Sequence, residues 1–287
     1  MQTSATKPLD YLAIGHITKD LAKDGYSLGG TASYSSLTAL AFGLKSGIFT
    51  SYAADFDVSA LSSLEINRKF SEKTTTFENI DTGSGRIQYL HQIAVPLIAV
   101  DIPVSLRSAR ILHLGPVADE VDPDIALLFP EAFIGLTPQG WMRRRNSDGL
   151  VERKEWYPSE HLIEDTDAVV ISVEDVGGDE EIISEFTRMF NVFAVTEGYN
   201  GARVYWHGDV RRFRAPKVEA VDQTGAGDIF AASFFIRLEA THDPWESAAF
   251  AVNIASLSVT RAGLMGIPRP EEVQSNLVEI IRGSSKQ

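Results

Sequence analysis

Six short apolar runs set the first limit on this chain. Residues 11–15, 46–53, 110–114, 133–136, 168–173 and 191–196 are rich in Ile, Val, Leu, Phe and Ala. Each is too short for a buried helix, so each reads as a buried strand. Between several of them lie helix-sized segments: 33–44, closed by Gly43 and Lys45, then 123–129 and 179–190. The first run ends at Gly15 and leads through His16, Thr18 and Asp20 to Gly29-Gly30-Thr31, a helix and the next run. Strand, glycine-rich turn, helix and strand in that order predict a parallel βαβ unit and an α/β fold.

Three regions depart from the alternation. Residues 73–95 are β-prone around the turn Asp81-Thr-Gly-Ser-Gly85, which predicts a hairpin exposed on both faces, a lid or an interface. Residues 141–157 are polar and basic at Arg143-Arg144-Arg145, as expected of a surface excursion with a solvated face. Residues 202–206 and 210–213, joined through His207-Gly208-Asp209, read as an antiparallel hairpin. The last helices are expected over 245–260 and 271–282.

One stretch carries chemistry. Asp222-Gln-Thr-Gly225-Ala226-Gly227-Asp228 cannot hold regular structure, and it runs into a helix marked by Phe230, Phe234 and Leu238. The first N–H groups of such a helix lack intrahelical partners, and with the positive end of the helix dipole they suit an oxyanion. Two glycines let a ligand approach the backbone closely. An aspartate there would repel a resting phosphate. It makes sense as a base that takes the proton of an attacking hydroxyl while the N–H groups hold the developing charge. The bland alternative is an Asp near the start of an ordinary helix.

Composition trims the remaining options. A net charge of −13 argues against nucleic acid or an anionic membrane as partner, and the absence of cysteine removes disulfides and thiolate chemistry. No apolar run approaches 18 residues, and 1–10 hold no apolar signal core, so cytoplasm is the expected compartment. There is no Gly-x4-Gly-Lys-Ser/Thr and no Gly-x-Ser-x-Gly; the six histidines lack metal-ligand spacing, and a dinucleotide fingerprint fits poorly. Glu174 and Asp175 follow a strand, where α/β proteins bind ligands, and are placed for Mg²⁺ held through water; Asp179 to Glu181 read equally as an acidic helix start.

Taken together, these residues resemble the ribokinase-like, PfkB-type carbohydrate kinases, in the right order over almost the whole chain. The 222–228 stretch is similar to the family's C-terminal motif, and Gly29-Gly30 with the following helix to its N-terminal motif. Thr196, Gly198 and Gly201 match the segment beside the ATP phosphates and ribose, Asn253 the helix bordering adenine, and Gly263 the loop that closes the nucleotide site. The resemblance implies one three-layer α/β domain over 1–287, its mostly parallel sheet flanked by helices, with a small β-lid from about 17–28 and 73–95. It implies ATP with Mg²⁺ as cofactors, Asp228 as base, and the backbone of Gly225, Ala226 and Gly227 as anion hole. Asp20, Gly29 and Gly30 would meet the substrate, with Tyr34 standing where the family often has Asn. Arg86 and Gln88 on the lid would reach the substrate or simply face solvent. Asp222 and Thr224 match part of a monovalent cation site, K⁺ for example. The family's Asn-x-x-Glu for Mg²⁺ is Ser172-Val-Glu174-Asp175 here. The expected reaction is γ-phosphoryl transfer to a small sugar or polyol, with a homodimer through the lid. The alternatives are a nucleoside kinase and a non-catalytic sugar or nucleotide sensor.

Overall fold

A computed structural model describes residues 7–23, 25–82 and 86–277. In chain order come β1 (Tyr11–Ile14), β2 (Thr18–Ala22), β3 (Gly25–Gly29), α1 (Thr31–Ala41), β4 (Ser46–Tyr52), β5 (Glu65–Phe70), β6 (Thr76–Asp81) and β7 (Arg86–Gln92). There follow β8 (Ile111–Leu114), β9 (Phe133–Leu136), β10 (Arg143–Arg145), β11 (Val151–Arg153), α2 (Glu160–Asp165), β12 (Ala168–Ser172), α3 (Glu180–Met189) and β13 (Val192–Thr196). The chain closes with β14 (Ala202–Trp206), β15 (Asp209–Phe213), α4 (Ala226–Thr241), α5 (Pro244–Ser258) and α6 (Pro270–Asn276).

Nine strands form the central sheet in the order β15-β14-β13-β12-β9-β8-β1-β4-β5. It is parallel from β13 to β5, with β14 and β15 added antiparallel. Successive side chains leave a strand on opposite faces, and here both faces are apolar. Leu12, Ile14, Leu112, Leu114, Val169, Ile171, Phe193 and Val195 pack on one side with Leu162 of α2 and Ile183 and Phe186 of α3. Their neighbours Tyr11, Ala13 and Ile111, and Ala168, Val170 and Ala194, pack on the other against α1, α4 and α5. The result is three layers. α4 is buried on nearly all sides, and Gly135 is small because the ring of Phe235 lies where its Cβ would be, 2.5 Å away.

A second sheet, β3-β2-β6-β7, stands over the end of the first at the strand C-termini. It uses the two segments expected of a lid, but it is not exposed on both faces. Phe77 and Leu90 point inward and form a small cluster with Val117, while Ile80 and Ile87 face out. The base of the lid is tied to the first strand's exit by His16, whose ring bonds Thr75 Oγ1 at 2.7 Å and the Val95 carbonyl at 3.0 Å. Burial pushes that imidazole down, toward the neutral form.

The helix expected over 123–129 is a 3-10 helix over Pro123–Leu128. β5 was not anticipated, because Glu65-Ile-Asn-Arg-Lys-Phe70 is a polar edge strand with no apolar run to announce it. Residues 141–157 are no loose excursion: Trp141 and Met142 are core residues, and 143–153 fold back as the β10–β11 hairpin. The expected helix over 271–282 is seen as α6, and 278–282 lie outside the described residues, as does the Gly83-Ser-Gly85 turn.

Candidate active site

Ligands of parallel sheets bind beyond the C-terminal strand ends, and the singled-out residues converge there. Asp20 lies on β2 just after β1, Thr31 opens α1, Asp175 follows β12, Thr196 ends β13 and Asp228 lies in the first turn of α4; Gln139, after β9, joins them.

The head of α4 is shaped by its glycines. Gly225 takes the left-handed conformation (φ 77°) and caps the helix without a side-chain bond. The first helical hydrogen bond runs from Ile229 N–H to Gly225 O, so the N–H groups of Gly227 and Asp228 have no helical acceptor. Nothing lies within 4 Å of a Cβ built on Gly227, so the approach from that side is open. A Cβ on Gly225 would sit 2.3 Å from the ring of Tyr34. Tyr34 is 2% exposed and packs with Ile229, Phe250 and Ile254. Its place is thus behind the glycine turn, as a prop, rather than on an open substrate face.

Asp228 sits among charges. Desolvation pushes its carboxyl up to about 6; a hydrogen bond from Thr31 and the Arg143 guanidinium pull the other way, and Asp175 and Asp20 add to the rise. Gly29 and Gly30 explain how Asp20 comes so close. A Cβ on Gly29 would lie 2.3 Å from Asp20 Oδ2, and one on Gly30, at φ 92°, 2.4 Å from the His16 carbonyl. The Thr18 hydroxyl donates to Asp20 Oδ1 at 2.8 Å and fixes the carboxylate against the start of α1.

Asp175 is almost wholly enclosed. Its Oδ2 accepts the Ser172 N–H at 2.8 Å; Oδ1 accepts from Gln139 Nε2 and Arg143 Nη2, both at 3.3 Å. Glu174 beside it points outward and is exposed. Among the described residues no three His, Cys, Asp or Glu groups stand together as a metal cage. Each Asp175 oxygen already accepts a hydrogen bond, and Glu174 is the exposed carboxylate beside it.

The residues expected at a nucleotide line one end of this edge. Gly198 and Gly201 flank the β13–β14 turn at φ 56° and 92°, and the Glu197 N–H closes it on the Gly201 carbonyl at 2.7 Å. Asn253 is exposed on α5, and Gly263 (φ 51°) has open space around it. Asp222 joins these parts: its Oδ1 accepts the Thr224 N–H at 2.9 Å and its Oδ2 the Gly263 N–H at 2.8 Å. The two residues matched to a monovalent cation site are therefore first of all a loop clamp.

On the lid, Gln88 Nε2 donates to Asn79 Oδ1 at 2.9 Å and Gln88 Oε1 accepts from Arg143 Nη1 at 3.2 Å. Arg86 opens β7, and its side chain lies outside the described residues. Arg143 and Gln139 are the site residues that the sequence reading missed. A signal existed for the arginine: within a strand, 143 and 145 share one face and 144 the other. Arg144 does pair outward with Glu152 at 3.1 Å, while Arg143 turns in.

Comparison with known proteins agrees with this geometry. Residues 178–271, which include the head of α4, match the pfkB family carbohydrate kinase pattern. A fructokinase of Klebsiella pneumoniae is 33% identical over 126 residues, 39% of this chain and 41% of the fructokinase, so that match spans less than half its length. A cytidine kinase of Thermococcus kodakarensis is 28% identical over 250 residues, 79% of this chain and 87% of its own. A solved pyrophosphate-dependent kinase in the ribokinase family, complexed with a pyrophosphate analog and myo-inositol, superposes with a TM-score of 0.74 at 20% identity, covering 92% of this chain and 99% of its own. The fold is ribokinase-like. The stretch that matches the pfkB family carbohydrate kinase pattern carries the motif at the head of α4.

Proposed function

We propose that the protein transfers the γ-phosphoryl group of ATP to a hydroxyl of a small, uncharged, polyhydroxylated acceptor, a sugar or polyol. The observation that carries this reading is the union, on one helix turn, of the Gly227 and Asp228 N–H groups, which lack a helical acceptor, with a buried carboxylate whose pKa is raised to about 6. Asp228 takes the proton of the attacking hydroxyl, and the N–H groups of the turn hold the charge on the transferring group. Asp20, fixed by Thr18, is the acceptor's hydroxyl-binding partner. ATP supplies the phosphoryl group, its phosphates toward Gly225, Ala226 and Gly227 and its base toward Asn253 and Gly263. A magnesium ion would be carried by the donor's phosphates and water, with exposed Glu174 at the same sheet edge.

The charges favour a neutral acceptor. Asp20 and Asp175 add to the negative charge at Asp228, and among the described side chains Arg143, already paired with Asp175, opposes it. A sugar acid or sugar phosphate would meet net negative charge.

The test is ADP release with Mg²⁺ and ATP over neutral pentoses, hexoses, inositols and nucleosides, with sugar acids as the charged arm. Asp228→Asn serves as control, expected to lose about 10²–10⁴-fold in kcat while still binding ATP. A variant that keeps near-full turnover would sink the assignment of the base.

A further inference from the structure

A chain of polar side chains crosses from the lid to the end of the central sheet. Asn79 on β6 accepts from Gln88 on β7, Gln88 accepts from Arg143 on β10, and Arg143 donates to Asp175 after β12. The far end is rigid, because Asp175 is also held by the Ser172 N–H and by Gln139. The middle is enclosed: a quarter of the Arg143 side chain and 4% of the Asp175 side chain are exposed. Its neighbours do other things, since Arg144 pairs with Glu152 and Arg145 Nε donates to the Leu90 carbonyl. So the β10–β11 hairpin is fastened to lid strand β7 by these two arginines, by the Leu90 N–H on the Gly149 carbonyl at 2.8 Å and by a bridge between Tyr89 and Leu150, and of these links the Arg143 one continues to Asp175.

We propose that Arg143 is a positioning residue which transmits the lid's position, through Gln88, to the phosphoryl-transfer centre at Asp175 and Asp228. The inference rests on the kinase reading above. A planar guanidinium suits the task because its donors are fixed in one fork, so moving the acceptor on one prong reorients the other. A lysine ammonium has no such geometry. When the lid settles on an acceptor, Gln88 is drawn with β7, the guanidinium follows, and Asp175 is held in its place beside the base. With the lid away, that constraint lapses.

The experiment is a double-mutant cycle on the full chain. Gln88→Leu cuts the lid end, Arg143→Met removes the link, and Arg143→Lys keeps the charge without the fork. Each is expected to lower kcat by about 10–100-fold, the scale of misplacing a reacting group, with the ATP KM within about twofold of wild type. The double variant should be no worse than Arg143→Met alone, and lysine should restore only part. Independent, additive losses would overturn the proposal, as would a Gln88→Leu enzyme with wild-type kcat. Amide exchange in the ligand-free protein supplies a readout without turnover. Gln88→Leu should speed exchange of the Ser172 N–H, a bond it does not touch, by about threefold or more, and should add nothing once Arg143 is Met. An unchanged Ser172 N–H would overturn the coupling. If wild type phosphorylates nothing in the panel, the kinase reading fails, and the exchange arm still decides whether the lid is coupled to the sheet end.

Discussion

At the residue scale, the site turns on one carboxylate kept costly. Burial raises the Asp228 pKa from 3.8 to about 6 in the folded chain. Between those values the folded state holds more proton than the unfolded one, so stability falls as pH rises from about 4 through about 6. At pH 7 the ionised group works against folding, and the same ionisation is what a base requires. Two consequences follow from one titration. Turnover should decline on the acid side with a midpoint near pH 6, read from kcat/KM against pH. Asp228→Asn, which keeps a hydrogen-bond acceptor for Thr31, should melt higher than wild type at pH 7, by on the order of 2–4 °C, with the difference vanishing below pH 4. A lower melting temperature at pH 7 would mean that the carboxylate is structural. This residue was legible in the sequence because helix start, glycines and acid lie within seven positions. Arg143 was not: its partners, 55 and 32 positions away, meet it only through the tertiary fold. Tyr34 was legible as a position but not as a role, since its packing against Gly225 needs α1 and α4 side by side.

At the element scale, the lid differs from the rest in how little holds it. The central strands bury both faces, whereas the lid sheet buries Phe77 and Leu90 fully in a cluster with Val117 and adds half-buried Leu28 and the exposed Tyr26 ring on Phe56. Segments with few buried apolar contacts open most readily, and an acceptor site must open. Leu90→Ala should therefore act on the acceptor rather than on the fold. We expect the acceptor KM to rise about tenfold with the ATP KM within twofold, and a stability loss at or below the low end of the roughly 2–5 kcal/mol typical of such core truncations, because the cluster is small and can collapse. Equal effects on both KM values would show that the lid also shapes the donor site. The strands of the lid were readable from their β-prone alternation; which face turns inward was not, because Ile80 and Ile87 outside are as apolar as Phe77 and Leu90 within.

At the scale of the whole molecule, a chain of net charge −13 must attract an anionic donor by local means. The parallel sheet was legible from its doubly apolar strands, and in the function proposed above the donor lies along the edge from α4 to α5. A structurally similar kinase is pyrophosphate-dependent, so the rim of that edge bears on the donor's chemical class. Val221 and Met265 are 66% and 70% exposed and flank the Asp222–Gly263 clamp, with Asn253 exposed on α5. A diphosphate has no apolar part to cover such a rim, whereas a nucleobase does. Binding to the folded state alone raises stability by about 2.7 kcal/mol at a hundred times Kd, a melting shift of about 5–10 °C for a chain of this size. ATP and ADP should each produce a shift of that order at saturation, and pyrophosphate at the same concentration a much smaller one. Val221→Asp, which places charge on the rim without touching the head of α4, should abolish the nucleotide shift. If pyrophosphate shifts the melt as far as ATP does, or if Val221→Asp leaves the ATP shift intact, the rim is not a base platform and the donor is a diphosphate held by the glycine turn alone.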